Sequence, residues 1–296
     1  MKRVRPVLIT DTNLISTNVP EDDYLTYLPA TTYALGDRQI SGHKIYESLQ
    51  AANLGHDPAT SPLWWLDLNI ASNPWRMFDG SSSSQTTHTD SISVTLYLAS
   101  RIDTIGLRDI AAATARVTMT DPVDGVVYDR TINLISPSGI TNWWAYFHEP
   151  IVRATSCLFT DLPAYGGLTV TITLSNPGLT VACGICALGL SQNLGGTQYG
   201  MALGLKDYSI EVENGWGDTT LKQGKFRRTL DLTVEVDNDR VDWLVDNLAQ
   251  YRSIPMLYIG TERFGSSVLY GYYRDARVVV SYFAISILSI EIKNMV

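Results

Sequence analysis

The segment Leu168-Thr-Val-Thr-Ile-Thr-Leu174 constrains this chain more than any other. Leu168, Val170, Ile172 and Leu174 fall on alternate positions with threonines between them. Side chains alternate faces along a strand, so the run predicts a strand with one face in a core and one wet. The same texture recurs in Ser91-Ile-Ser-Val-Thr-Leu-Tyr-Leu98, Ala115-Arg-Val-Thr-Met-Thr120, Val126–Leu134 and Thr180–Leu188. Gly, Pro, Asn and Asp clusters separate these runs, and helical periodicity is scarce. The expected fold class is mainly β.

Three textures divide the chain. Residues 1–23 read as an N-terminal arm, and 24–73 as a small aromatic-rich β module that is poor in long strands. Residues 74–190 carry the succession of strand runs expected of a β-sandwich. The stretch 191–200, Ser-Gln-Asn-Leu-Gly-Gly-Thr-Gln-Tyr-Gly, reads as a linker. Residues 201–296 follow a different pattern. Leu230, Leu232, Val234 and Val236 alternate with Asp231, Thr233 and Glu235, and then Val241, Leu244, Val245 and Leu248 fall at helical spacing. A helix near 239–252, capped by Asn238 or Asp239, is expected there, with strands around it. Strands such as 4–11 and 285–292 are expected at sheet edges, where they could pair with other chains.

Composition excludes several classes. Of 296 residues, 45% are hydrophobic and 18% charged, which rules out disorder over most of the chain. The formal charge of −8 argues against nucleic acid as a partner, because binding phosphates calls for a clustered basic surface. Three cysteines cannot build a disulfide framework. Pro6 and Asp11 interrupt any signal-peptide core, and no run approaches the ~20 apolar residues of a membrane span. A soluble protein folded in a reducing cytoplasm is expected, leaving it by a route such as lysis, without membrane insertion.

Candidate chemistry is thin. Cys183-Gly-Ile-Cys186 has the spacing of a zinc or redox turn, but no second ligand pair exists in sequence. Its expected strand setting would point the two thiols to opposite faces, so two buried small side chains are expected and no metal. His43, His56, His88 and His148 are isolated, and no nucleophile elbow or phosphate loop is present. Asp79, Asp90, Asp121 and Asp129 lie at turns or strand ends, where carboxylates cap and turn the chain. The expectation is no catalytic residue, no cofactor and no enzyme. Lys225-Phe-Arg-Arg228 reads as solvated charge on a strand edge. Aromatic residues cluster twice, in the 24–75 region and at Trp143-Trp144-Ala-Tyr146-Phe147-His148. Each cluster serves either as core or as a platform for sugar rings.

The first cluster carries a resemblance. Thr31-Thr-Tyr33-Ala-Leu-Gly36-Asp37-Arg38, His43-Lys-Ile-Tyr46-Glu-Ser48, Asp57-Pro58 and Trp64-Trp65 resemble small chitin-binding modules of carbohydrate-binding families 5 and 12. That likeness implies sugar stacking on Tyr33, Tyr46, Trp64 and Trp65. The family usually has a tryptophan before the Tyr-x-x-Gly-Asp turn, where this chain has Tyr27-Leu-Pro.

A second resemblance spans nearly the whole chain. Val7-Leu-Ile-Thr-Asp11, Asn73-Pro-Trp75-Arg-Met77-Phe78-Asp79-Gly80, Val117–Pro122, Gly125–Arg130, Gly195–Gly200 and Tyr270–Arg274 are similar to virion proteins of tailed bacteriophages and prophages. It implies a tail or baseplate structural protein, forming a symmetric homo-oligomer with other tail proteins and located in the virion. It also implies a jelly-roll, galactose-binding-like sandwich and a β-barrel-like last module with one helix. The alternative expectation is a non-catalytic protein that recognises a host cell-surface saccharide.

Overall fold

The computed structural model describes residues 1–135, 142–148, 152–213 and 216–295. Strand occupies 55% of it and helix 10%, so the fold is mainly β. Leu168–Asn193 is the organising strand, 26 residues long. Its first half pairs with Thr86–Leu98 on one side and Thr114–Asp121 on the other. The register breaks between Ser175 and Thr180, around Gly178 at φ 77°. The second half then pairs with Thr104–Ala111 and with Lys2–Pro6.

The alternation read from sequence survives intact. Leu168, Val170, Ile172 and Leu174 are buried, and the threonines between them are half-buried. On that outer face Thr171 and Thr173 approach Thr95 and Ser93 at 3.2 and 3.5 Å between hydroxyl oxygens. The inner face meets Ile92, Val94, Leu96, Ala115, Val117 and Met119, making the largest core.

Lys2–Pro6 is not a free arm. It lies between two strands, antiparallel to Gly189–Asn193 on one flank and to Leu257–Ile259 on the other. One sheet of fourteen strands therefore runs through the described residues, from Gly125–Asn133 across Leu168–Asn193 and Lys2–Pro6 to Met256–Ile259, Val268–Val280, Ile285–Asn294 and Phe226–Asp237. Val4 is fully buried among Ile185, Ala187, Leu257 and Tyr270. Arg3, one residue earlier, points to the opposite side. Its guanidinium donates to the Gln192 and Asn247 side-chain oxygens and lies 4.7 Å from the centroid of Tyr251. The edge positions expected for 4–11 and 285–292 are thereby corrected: the strand 2–6 is flanked on both sides, and Ile285–Asn294 pairs with both Phe226–Asp237 and Val268–Val280.

The linker expected at 191–200 is also not a free tether. Ser191–Asn193 belong to the long strand, Leu194 is fully buried in the C-terminal core, and Gly196–Thr197 pairs with Val234–Glu235. Its glycines answer to proximity. A Cβ on Gly195 would stand 2.1 Å from the Glu235 carbonyl oxygen.

In the C-terminal region Leu230, Leu232, Val234 and Val236 face a core shared with Leu244 and Leu248. The helix spans Val241–Gln250 after a 3-10 turn at Asn238–Arg240. Asn238 does not cap it. Its amide instead donates to the Tyr282 and Phe283 carbonyls at 3.0 and 2.9 Å, and its oxygen accepts from Ser286. The residue thus pins the turn between Val268–Val280 and Ile285–Asn294.

The small module carries a three-stranded sheet, Arg38–Ser41, Lys44–Ser48 and Trp65–Ala71. Gly42 and His43, at φ 54° and 63°, form the two-residue turn of its first hairpin. That turn projects His43 onto Trp75, with ring centroids 4.3 Å apart. Its two ring nitrogens meet Glu21 and Asp11 at 3.0 and 2.7 Å. One side chain thereby ties the small module to residues 1–23 and to the sandwich.

Candidate functional site

Three of the four expected sugar-stacking residues are core. Tyr33, Tyr46 and Trp65 are buried together, Trp65 with 2% exposure. Tyr33 and Trp65 meet edge-on at 5.2 Å. The Tyr33 hydroxyl accepts from the Leu28 amide at 2.7 Å, and the Trp65 indole donates to the His56 carbonyl at 2.8 Å. A small module short of aliphatic residues builds its core from rings, so no face of these three is open to a saccharide. Trp64 is half-buried, with one face covered by His56 at 3.9 Å and 13°. Of the residues expected at this site, Tyr33, Tyr46 and Trp65 are thus scaffold, and Trp64 stands half-buried beside His56.

The second cluster points the other way. Trp143–His148 is a short helix with Trp143 78% exposed, and Trp144, Tyr146 and Phe147 are exposed as well. Spacings of three and four residues bring Trp143, Tyr146 and Phe147 onto one face. Trp143 and Phe147 lie 23° from parallel at 6.3 Å, while Trp144 stacks on His148.

A further surface was not foreseen. Ala202–Asp207 pairs with Phe226–Asp231, and beyond them Ile210–Glu213 pairs with Thr219–Lys222. The outer ribbon is exposed along both of its strands. Its register places Ile210 and Val212 on one face and Leu221 on the other, Leu221 with 74% exposure. An isolated two-stranded ribbon is marginal in water, and this one offers apolar side chains on both faces. A second exposed apolar group lies at the turn holding Val280, Tyr282 and Phe283.

The aspartates singled out in the sequence serve turns and strand pairs, and the one histidine that meets carboxylates among the described residues, His43 between Glu21 and Asp11, is the clamp described above. Asp79 accepts from the Ser81 amide and the Ser84 hydroxyl at 2.7 and 2.8 Å, Asp121 from the amides of Val123 and Asp124, and Asp90 from Gly178. Asp129 accepts from two guanidinium nitrogens of Arg116. Burial raises the Asp79 pKa, and the hydrogen bonds from Ser81 and Ser84 offset that only in part.

Cys157, Cys183 and Cys186 are free and buried in one core. The opposite-face expectation for Cys183 and Cys186 fails: both face the largest core while Ile185 and Ala187 face the Val4 cluster, so side-chain alternation changes phase around Gly184, across from Asp109 at φ 51°. Burial pushes the Cys157 thiol up to about 12 and raises the other two as well. They are thiols packed as small hydrophobes. No group of three or more His, Cys, Asp or Glu gathers as a metal site among the described residues.

One charged residue was missed from sequence. Arg108, within Thr104-Ile-Gly-Leu-Arg-Asp-Ile-Ala111, has 3% exposure. The available signal was a guanidinium in an otherwise apolar strand. Compared with known proteins, the chain matches no protein-family model and no curated protein.

Proposed function

We propose that this chain is a structural protein of a tailed-phage virion, placed in the tail or tail tip and assembling as a symmetric homo-oligomer. The exposed ribbon of Ile210–Glu213 and Thr219–Lys222 carries the reading. Ile210, Val212 and Leu221 stand out from the body on both faces of a ribbon that lacks a core of its own. Cover from a second copy of the chain supplies that core, and insertion of a ribbon into a neighbour is a head-to-tail contact of the sort that closes rings. The resemblance of 7–11, 73–80 and 270–274 to phage virion proteins supports the same assignment. In this account the sandwich is of jelly-roll type, and the protein folds in the host cytoplasm and leaves by lysis with its tail partners.

Light scattering coupled to size exclusion tests the assembly. The wild type should elute as a defined oligomer, and Ile210→Glu with Leu221→Glu should elute as a folded monomer. A wild-type monomer at all concentrations, or an unaltered oligomer in the variant, overturns it.

A second reading is favoured by the exposed face of Trp143, Tyr146 and Phe147: a non-catalytic protein that recognises host saccharide through this helix. Rings exposed to this degree can stack on the apolar face of a pyranose, whereas those of Tyr33, Tyr46 and Trp65 cannot. A glycan array with the Trp143→Ala variant discriminates. Binding by the wild type that the variant loses supports this reading, and absence of binding removes it.

A further inference from the structure

Arg108 poses an electrostatic problem. It is 3% exposed, and among the described residues its guanidinium makes one hydrogen bond, donated to the Gly265 carbonyl at 3.3 Å. No carboxylate forms an ion pair with it among the described residues, where every pair involves other cations. Burial is the largest influence on its pKa and lowers it to about 10; Asp109 raises it, and the like charge of Arg228 lowers it further. A buried cation is ordinarily paired, since leaving it uncompensated is costly.

The surroundings explain where a counter-charge would sit. Arg108 lines a cleft of about 420 Å³ between the sandwich and the base of the exposed ribbon, together with Ser82, Ser83, Lys225 and Arg228. Asp109 is the only carboxylate among its lining residues, against three cations. Lys225 and Arg228 belong to the basic run read from sequence as solvated edge charge; Lys225 is exposed and Arg228 half-buried, and both line the cleft that holds buried Arg108.

The cleft continues into a second hollow of about 590 Å³, which shares Gln223, Gly224, Phe226 and Arg228 with it. Leu203, Leu205 and Phe226 furnish the apolar wall there. They lie on one face, because Leu205 is opposite Arg228 and Asp207 opposite Phe226 in the register. Asp207, at this end, is already engaged by the Ser209 amide and hydroxyl at 2.9 and 2.7 Å. A cationic end thus adjoins an apolar wall across the Arg228 and Phe226 side chains.

We propose that this cleft binds an amphiphilic oxyanion, with its carboxylate or phosphate between Arg108, Arg228 and Lys225 and its apolar stem against Leu203, Leu205 and Phe226. Arginine forks suit both planar and tetrahedral oxyanions, and the burial of Arg108 strengthens a pairing there. The site lies at the base of the exposed ribbon and does not include Ile210, Val212 or Leu221, so it stands whether or not those residues join copies of the chain.

The test is calorimetric titration of the full chain with octanoate, acetate and inorganic phosphate at matched ionic strength. Octanoate should saturate one site per chain and bind at least tenfold more tightly than acetate or phosphate. Arg108→Met should weaken octanoate at least tenfold. Arg228→Gln, at a half-buried position, should do the same and serves if the Arg108 variant does not fold. Leu205→Asn should bring octanoate toward acetate, showing that the stem is read. No saturation by any of the three up to about 10 mM, or equal octanoate affinity in wild type and Arg228→Gln, overturns the proposal. Repeating the titration on the Ile210→Glu, Leu221→Glu variant separates it from the assembly reading, because binding should persist there.

Discussion

Replacing Val4 by alanine tests whether the strand 2–6 holds the molecule together. Val4 is fully buried and packs against residues from both regions that its strand joins: Ile185 and Ala187 on one side, Leu257, Ile259, Val268 and Tyr270 on the other. The change removes two methyl-sized groups, worth about 1.6 kcal/mol of transfer free energy at ~0.8 each. Flanking strands paired along both edges limit collapse into the void. A residual cavity approaching about 50 Å³ at ~24 cal/mol per Å³ adds roughly 1 kcal/mol. The expected loss is therefore about 2–3 kcal/mol, measured by urea unfolding with far-UV circular dichroism as a lower midpoint at unchanged slope. Hydrogen exchange should show faster opening of amides in both Gly189–Asn193 and Met256–Ile259, since one strand protects both. Val123→Ala, at a highly exposed position, is the control and should stay within ~0.5 kcal/mol. A Val4→Ala loss below ~0.5 kcal/mol, or exchange that changes on one flank alone, would refute the account of this strand as a seam.

Further consequences follow from other contacts. Gly189→Ala would place a Cβ 2.1 Å from the Arg5 carbonyl oxygen, so it should cost about 1–3 kcal/mol in the same unfolding assay. Trp65→Ala should lower stability by about 3–5 kcal/mol in thermal or urea melts, whereas Trp143→Ala, exposed, should leave it within ~0.5 kcal/mol. Burial alone would lower the His43 pKa, but the facing carboxylates of Glu21 and Asp11 outweigh it and raise the value above 6.5. A raised folded-state pKa means that this contribution is full below pH 6.5 and fades as pH climbs through the folded value. His43→Gln should therefore flatten the slope of stability against pH above 6.5, and an unchanged slope would contradict that clamp. Cys157, Cys183 and Cys186 should resist thiol reagents in the native protein and react on unfolding, as read by mass spectrometry.

Much of the strand structure was legible because period-two alternation is a local signal. The faces of Leu168–Leu174 and Leu230–Val236 follow from the sequence alone, as does the helix between Val236 and Pro255. Long-range proximity was not legible. Gly195 looks like linker residue when its demand is clearance from the Glu235 carbonyl. Lys2–Pro6 looks like an arm because nothing local says that two distant strands await it. The phase change around Gly184 sits across from Asp109 in a left-handed conformation, which apolar patterning does not encode. Aromatic clustering is ambiguous for a different reason. Tyr33 and Trp65 point inward while Trp143 and Phe147 point outward, and ring content alone has no direction. Arg108 is not legible locally because its meaning arises only when Lys225 and Arg228, more than a hundred positions away, line the same cleft.

The assignment to a virion is tested most directly by purifying phage particles from cells that encode the chain and labelling them with gold-conjugated antibody raised against residues 201–296. The account predicts gold at the tail or its tip, and the protein's peptides in the particle fraction at a constant ratio to other tail proteins. Particles free of gold, with the protein recovered from the soluble lysate alone, would contradict it.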